Sequence, residues 1–298
     1  METAKLANPA ATRRTQALYG LLRSFSGKAV LLGQHEAPRS VFQDREIEWI
    51  EAVSGETPAV RGLDFIHDDF AGVVERALRW NDRGGIVTVC WHTGIAGNDY
   101  LASKEETPDW EELLTPGTEG NGQLLRRWED AAEALRKLQA ADVPVLWRPF
   151  HEFDGQWFWW GKNTRGEAFA RLWRMMYRRF TEDYSLNNLI WVLGYADDVK
   201  DGWDPGEAFF DIAGSDTYRG ETVHGAAYAR LEALYPRKMR ALHECGLIPE
   251  PDALFDSGSV WSWLMPWHGR WLMDNHPDRI RQVYRDGRMI TLGRLPAF

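Results

Sequence analysis

Two glutamates stand out for what surrounds them. Glu152 lies in "VLWRPFHEFDGQWFWWGK" (145–162), where seven of the fourteen residues from Trp147 to Trp160 are aromatic. Glu244 follows 92 residues later in "MRALHECGLIP" (239–249), and each glutamate comes directly after a histidine. A pair of carboxylates is what glycoside hydrolysis requires. One gives a proton to the leaving oxygen, while the other attacks or stabilises the anomeric carbon. The aromatic surroundings suit the same chemistry, because sugar rings present C–H faces to indole. A dry indole wall also raises the pKa of a nearby carboxyl, so that it holds a proton near neutral pH. For double displacement the two carboxyl groups are expected about 5–5.5 Å apart.

Other readings of these residues compete. A lone Glu after a strand often serves as a solvated cap, and Glu244 could form a structural ion pair with Arg240 or Arg148. Three His-Glu pairs occur, at 35–36, 151–152 and 243–244, but none continues as the H-E-x-x-H of a helical zinc site. His35 and Glu36 read as caps of the segment after a first strand. No Gly-rich phosphate loop follows a strand, and no Ser sits in G-x-S-x-G. No metal or cofactor is expected. The acids of "DFIHDDF" (64–70) read as a helix start, where carboxylates meet the positive end of the dipole.

The elements that must position these side chains alternate regularly. Short β-branched or apolar runs occur at 29–33, 59–64, 86–91, 143–149, 188–194, 211–216, 239–245 and 260–265. Between them lie helical patterns such as 72–84, 124–142 and 166–184. Eight such units predict a (β/α)8 TIM barrel forming a single catalytic domain over 1–298, with 1–15 irregular. The stretch 94–122, rich in Gly, Thr, Pro and acid, is expected to be a long loop after the third strand. Active sites of such barrels sit at the C-terminal strand ends, where both Glu152 and Glu244 fall.

Composition narrows the partners. The net charge of −9 disfavours a nucleic-acid backbone or an anionic membrane surface, both of which would repel the chain. No run approaches the roughly 18 apolar residues that span a bilayer. "METAKLANPAATRRTQ" lacks the apolar segment of a signal peptide, and localisation stays open. Cys90 and Cys245 lie in apolar runs and are expected as buried free thiols. Sixteen tryptophans exceed what a core needs, so some are expected to line a groove. A monomer is the default.

The motif "RPFHEFDGQWFWWG" (148–161) resembles the acid/base signature of glycoside hydrolase family 26, the β-mannanases and their relatives. "LLGQHE" (31–36), Trp91-His92, "SDTY" (215–218), "LHECGLIPEPD" (242–252) and "WSWLMPWH" (261–268) are similar to further segments of that family. The resemblance implies a retaining endo-β-1,4-mannanase-like enzyme, with Glu152 as acid/base and Glu244 as nucleophile. It also implies polar contacts from His92, His151 and Tyr218, and stacking platforms at Trp157 and Trp267; hydrogen bonds from Tyr218 and Arg148 are expected to keep Glu244 ionised. The partner would be a polysaccharide or oligosaccharide, with β-mannan first. That substrate class favours a secreted or periplasmic location. Three positions depart from the family pattern: "TGIAGNDY" (93–100) where Asn-Pro often follows the Trp-His, His243 where a small residue is usual, and Asp154 where Asn is common. They bear on the preferred sugar, and β-1,3-xylan or mixed-linkage β-glucan is the alternative. A carbohydrate-binding protein without catalysis would keep the indoles and usually lose a carboxylate.

Overall fold

The computed structural model describes residues 5–38, 42–218 and 223–298. Eight parallel strands form the frame: β1 (Val30–His35), β2 (Val60–Asp64), β3 (Ile86–Cys90), β4 (Val145–Arg148), β5 (Leu189–Tyr195), β6 (Ile212–Thr217), β7 (Met239–Cys245) and β8 (Trp263–Pro266). Each pairs with the next, and β1 pairs with both β2 and β8, which closes the barrel. The expected (β/α)8 barrel is present. A further short strand, β9 (Met289–Ile290), lies beside the start of β1. Two residues give no usable alternation, so the sequence reading misses it.

Side-chain alternation divides the barrel into an inside and an outside. Leu31, Val60, Ile86, Leu146, Ile190, Ile212, Ala241 and Trp263 point inward and form an apolar floor. Helix α1 (Arg13–Phe25) plugs that floor from below with Leu18 and Leu22. It starts inside the stretch expected to be irregular, because the Thr12 side chain accepts from the Thr15 N–H and caps it. Alternate residues such as Val89, Trp147, Trp191 and Leu242 face outward beneath the helices.

The helix layer follows the predicted periodicity. α2 (Arg45–Ser54) and α3 (Phe70–Asp82) come first, and Asp69 caps α3 by accepting from the Gly72 N–H. The stretch 94–122 is not a bare loop. It holds α4 (Tyr100–Glu105) and α5 (Trp110–Leu114), and α6 (Glu119–Ala140) begins within it. Asp99, Asp109 and Thr118 cap these three helices, a signal outweighed in the sequence by its Gly and Pro content. Glu106 closes the turn before α4 by accepting from the N–H groups of Ile95, Ala96 and Gly97. α7 (Glu167–Arg178) loosens into a wider turn over Arg179–Asp183. The layer ends with α8 (Gly225–Leu234), α9 (Pro251–Asp256), α10 (Arg270–Met273) and α11 (Pro277–Arg285). No helix among the described residues is long and apolar enough to cross a membrane.

Above the floor the barrel interior turns polar. Gln34, His35, Thr88, Arg148, Asp216 and His243 are all buried there. Gly62 makes the room for His35, since a Cβ on Gly62 would lie 2.5 Å from the imidazole. Polar side chains at the C-terminal end and apolar ones at the other give the barrel one polar mouth.

Candidate active site

A cleft of about 640 Å³ opens at that mouth, and Glu152 and Glu244 both line it. The backbone after β4 explains how Glu152 gets there. An extended chain would turn His151 and Glu152 to opposite sides. Instead Phe150 and Glu152 adopt left-handed φ values of 51° and 54°, which bends the segment and brings both side chains to the site. Such conformations cost about 1–3 kcal/mol each for non-glycine residues and persist only where the surroundings hold them. Here the Glu152 N–H donates to the Gly194 carbonyl at 2.7 Å, and the Trp160 indole N–H donates to the His151 carbonyl at 2.7 Å.

A different device turns Glu244. The β6–β7 register pairs Ser215 with Leu242 but Asp216 with Glu244, so one residue is bulged at His243. His243 points into the barrel, where its Nε2 meets the Thr88 hydroxyl at 3.1 Å. Glu244 follows it to the same side instead of alternating outward, the usual effect of a bulge.

The two carboxyls live in different surroundings. Glu152 is buried and, among the described residues, receives one hydrogen bond, from the Trp157 indole N–H at 2.7 Å. Burial, and then the nearby Glu244 charge, push its pKa up to about 8, against smaller opposing effects of Trp157, Arg148 and His92. A rise of that size corresponds to about 5 kcal/mol in favour of the neutral acid. Glu244 is held by donors instead. The Arg148 guanidinium donates to Oε1, and the Tyr218 hydroxyl donates to Oε2 at 2.5 Å. Arg148 also donates to Asp216 at 2.5 Å, so one fully buried guanidinium bridges two carboxylates. Arg240, the other candidate partner, pairs with Glu232 instead.

Beside Glu244 stands a polar chain. His92 Nδ1 lies 2.6 Å from Asp64, its Nε2 lies 3.1 Å from His151 Nε2, and His151 Nε2 lies 3.8 Å from Glu244. Burial, followed by the Arg148 charge, keeps His151 well below its ordinary pKa. For His92 burial acts in the same direction and is the largest single effect, but the Asp64 charge and hydrogen bond together with the Glu244 and Glu152 charges outweigh it, and the pKa is raised.

The sequence-predicted residues therefore converge. His92, Trp157, Tyr218 and Trp267 line the cleft with the two glutamates, while Arg148 and His151 lie immediately beneath. Trp267 packs against His35 at a ring distance of 4.4 Å. Trp157 is 39% exposed and lies over Gly155, where a Cβ would fall 2.2 Å from its ring. Trp159 and Trp160 are fully buried, as only some of these indoles could face one groove. Glu36 is no mere cap, for it bridges Arg61 at 2.7 Å and Arg76 at 2.8 Å beneath the rim. The two cysteines are buried and free. Asp154 accepts from the Ala196 and Lys200 N–H groups, which ties the loop after β4 to the one after β5.

Several site residues escape the sequence reading. Asp64 ends β2 and Asp216 lies near the end of β6, so the strand-end rule that selected Glu152 could have selected them too. Tyr100, Lys104 and Trp271 also line the cleft, and no spacing in the sequence ties them to it, whereas Phe158 and His268 lie within the motifs 148–161 and 261–268 without being singled out there. His151, Asp216 and Glu244 are close enough to share an ion, but the Arg148 cation already fills that electrostatic role.

Comparison with known proteins places the chain and its fold. The chain is 32% identical, over 97% of its own length and 63% of the relative's, to a mannan endo-1,4-beta-mannosidase of Thermothelomyces thermophilus. It is 30% identical to mannan endo-1,4-beta-mannosidase B of a Piromyces species, covering 98% of this chain and 54% of that one. Thus it spans roughly half to two thirds of the length of these curated relatives. Among solved structures, the Podospora anserina GH26-CBM35 beta-(1,4)-mannanase superposes with a TM-score of 0.89 at 30% identity, covering 97% of this chain and 68% of that one. The beta-mannanase from a symbiotic protist of the termite Reticulitermes speratus, complexed with a gluco-manno-oligosaccharide, gives a TM-score of 0.89 at 26% identity over 99% and 98% of the two chains. The sequence profile of glycosyl hydrolase family 26 matches residues 7–294, and the chain belongs to that family.

Proposed function

We propose that this barrel is one catalytic domain that hydrolyses β-1,4-mannan within the chain and retains configuration at the anomeric carbon. Glu244 attacks the anomeric carbon while Glu152 gives its proton to the departing glycosidic oxygen, leaving a covalent mannosyl-enzyme. Glu152, now ionised, takes a proton from water, and the resulting hydroxide displaces Glu244 from the anomeric carbon. Glu152 is then protonated again and Glu244 is free. The observation that carries this reading is the contrast between the two carboxyls in one cleft. Burial and the Glu244 charge keep Glu152 protonated to about pH 8, whereas Glu244 accepts from Arg148 and Tyr218. Trp157 and Trp267 supply aromatic faces for the sugar around that centre, and His92 lines the same cleft. The mannanase names and titles of the relatives support mannan over other polysaccharides.

A reducing-sugar assay on mannan, β-1,3-xylan and mixed-linkage β-glucan, with Glu244→Ala as control, tests the assignment. Release from mannan well above the other two, abolished in the variant, is the expected result. Preference for xylan or glucan would replace the substrate while keeping the mechanism. No hydrolysis of any of the three would overturn the enzyme reading.

A further inference from the structure

Asp64 takes no part in the scheme above, yet its placement is specific. It is buried, and both its oxygens are used: Oδ1 accepts from the Ile66 and His92 N–H groups, each at 3.0 Å, and Oδ2 meets His92 Nδ1 at 2.6 Å. A carboxylate accepting three hydrogen bonds is strongly held in its ionised form. Among the described residues His92 is the one basic side chain bonded to it, and a buried charge without a partner is costly.

The next link decides a tautomer. His92 Nε2 and His151 Nε2 face each other at 3.1 Å, so one proton lies between them. Were it on His151, that N–H would also point toward Glu244, 3.8 Å away, and a further donor there would blunt a nucleophile. We propose that Asp64 is a positioning residue of the reaction: it holds His92 as an imidazolium whose Nε2–H donates to His151, leaving His151 without a donor toward Glu244. Among the described residues Glu244 then keeps Arg148 and Tyr218 as its hydrogen-bond partners. The role rests on Glu244 being the nucleophile, as proposed above, but the protonation pattern is a property of the free protein.

Other charged groups act on His92 without replacing Asp64. Glu152 and Glu244 also favour its charged form, while His151, His35 and His268 oppose it across the same space. Cys90 Sγ lies in one cluster with Asp64 and His92, its thiol kept neutral by burial, and the Tyr100 ring packs 5.4 Å from His92.

Measurements on Asp64→Asn and His92→Gln test the idea. Asparagine keeps an acceptor for the backbone N–H groups and removes the charge. In the wild-type protein without substrate, imidazole nitrogen NMR is expected to show His92 protonated on both nitrogens at neutral pH and His151 on Nδ1. In Asp64→Asn the amide NH2 faces His92 Nδ1, so His92 is expected to be neutral at neutral pH with its proton on Nε2; His151 still lacks a donor toward Glu244, and kcat/KM on an aryl manno-oligosaccharide should stay within about threefold of wild type. In His92→Gln the amide NH2 turns to Asp64 and its carbonyl to His151, which must then donate, so kcat/KM should fall about tenfold. A neutral His92 in the wild type, or a His92→Gln variant with unchanged kcat/KM, overturns the proposal. The NMR result stands apart from hydrolysis, so failure of the mannanase reading would be recognised separately by the polysaccharide assay.

Discussion

The ends of β4 and β7 deliver the same functional group by opposite means. At β4 the backbone itself is bent, with Phe150 and Glu152 in left-handed conformations, and among the described residues the carboxyl is left with a single indole donor. At β7 the strand keeps its direction and a bulge at His243 rotates the side chain, which then meets a guanidinium and a phenol. One carboxyl is starved of charge-stabilising partners and the other is supplied with them. On the proposed assignment these two environments suit one residue to be the acid and the other the nucleophile, the arrangement double displacement needs.

Breaking the β7 side should cost most. Glu244→Gln removes the proposed nucleophile while keeping size, and loss of about 10⁴-fold or more in kcat is expected from initial rates on mannan, since no covalent intermediate can form. Breaking the β4 side should cost less. Glu152→Ala is expected to lower the rate on polysaccharide by about 10²–10⁴-fold, the usual worth of general acid catalysis. The smallest effect should come from adjusting the β4 environment instead of removing its acid. Trp157→Phe deletes the N–H that favours ionised Glu152, so the Glu152 pKa should rise further from about 8. The alkaline limb of kcat/KM, lost as Glu152 ionises, should then move upward by about one pH unit. A downward move would contradict the role given to that indole.

How much of this the sequence reveals depends on the range of the interactions involved. The eight strands and their helices are legible because alternation and helical period are local signals. Glu152, Glu244 and the ring of supporting residues are legible because motif and strand-end position coincide. The helices within 94–122 are less so, since their short capped turns hide among Gly and Pro. Trp157 reads as a stacking platform, and only coordinates reveal its N–H on Glu152. The Asp64–His92–His151 chain joins β2, the end of β3 and the segment after β4, a contact between residues 28 and 59 positions apart that no spacing rule records.

The most direct test of the contrast between the two strand ends uses Glu152→Ala with an aryl β-mannoside whose leaving group needs no proton. The account predicts that the variant still cleaves it in a burst, with a mannosyl adduct on Glu244 seen by mass spectrometry, and that azide accelerates turnover by replacing the missing base step. No burst and no adduct, or an adduct on any other residue, would contradict it.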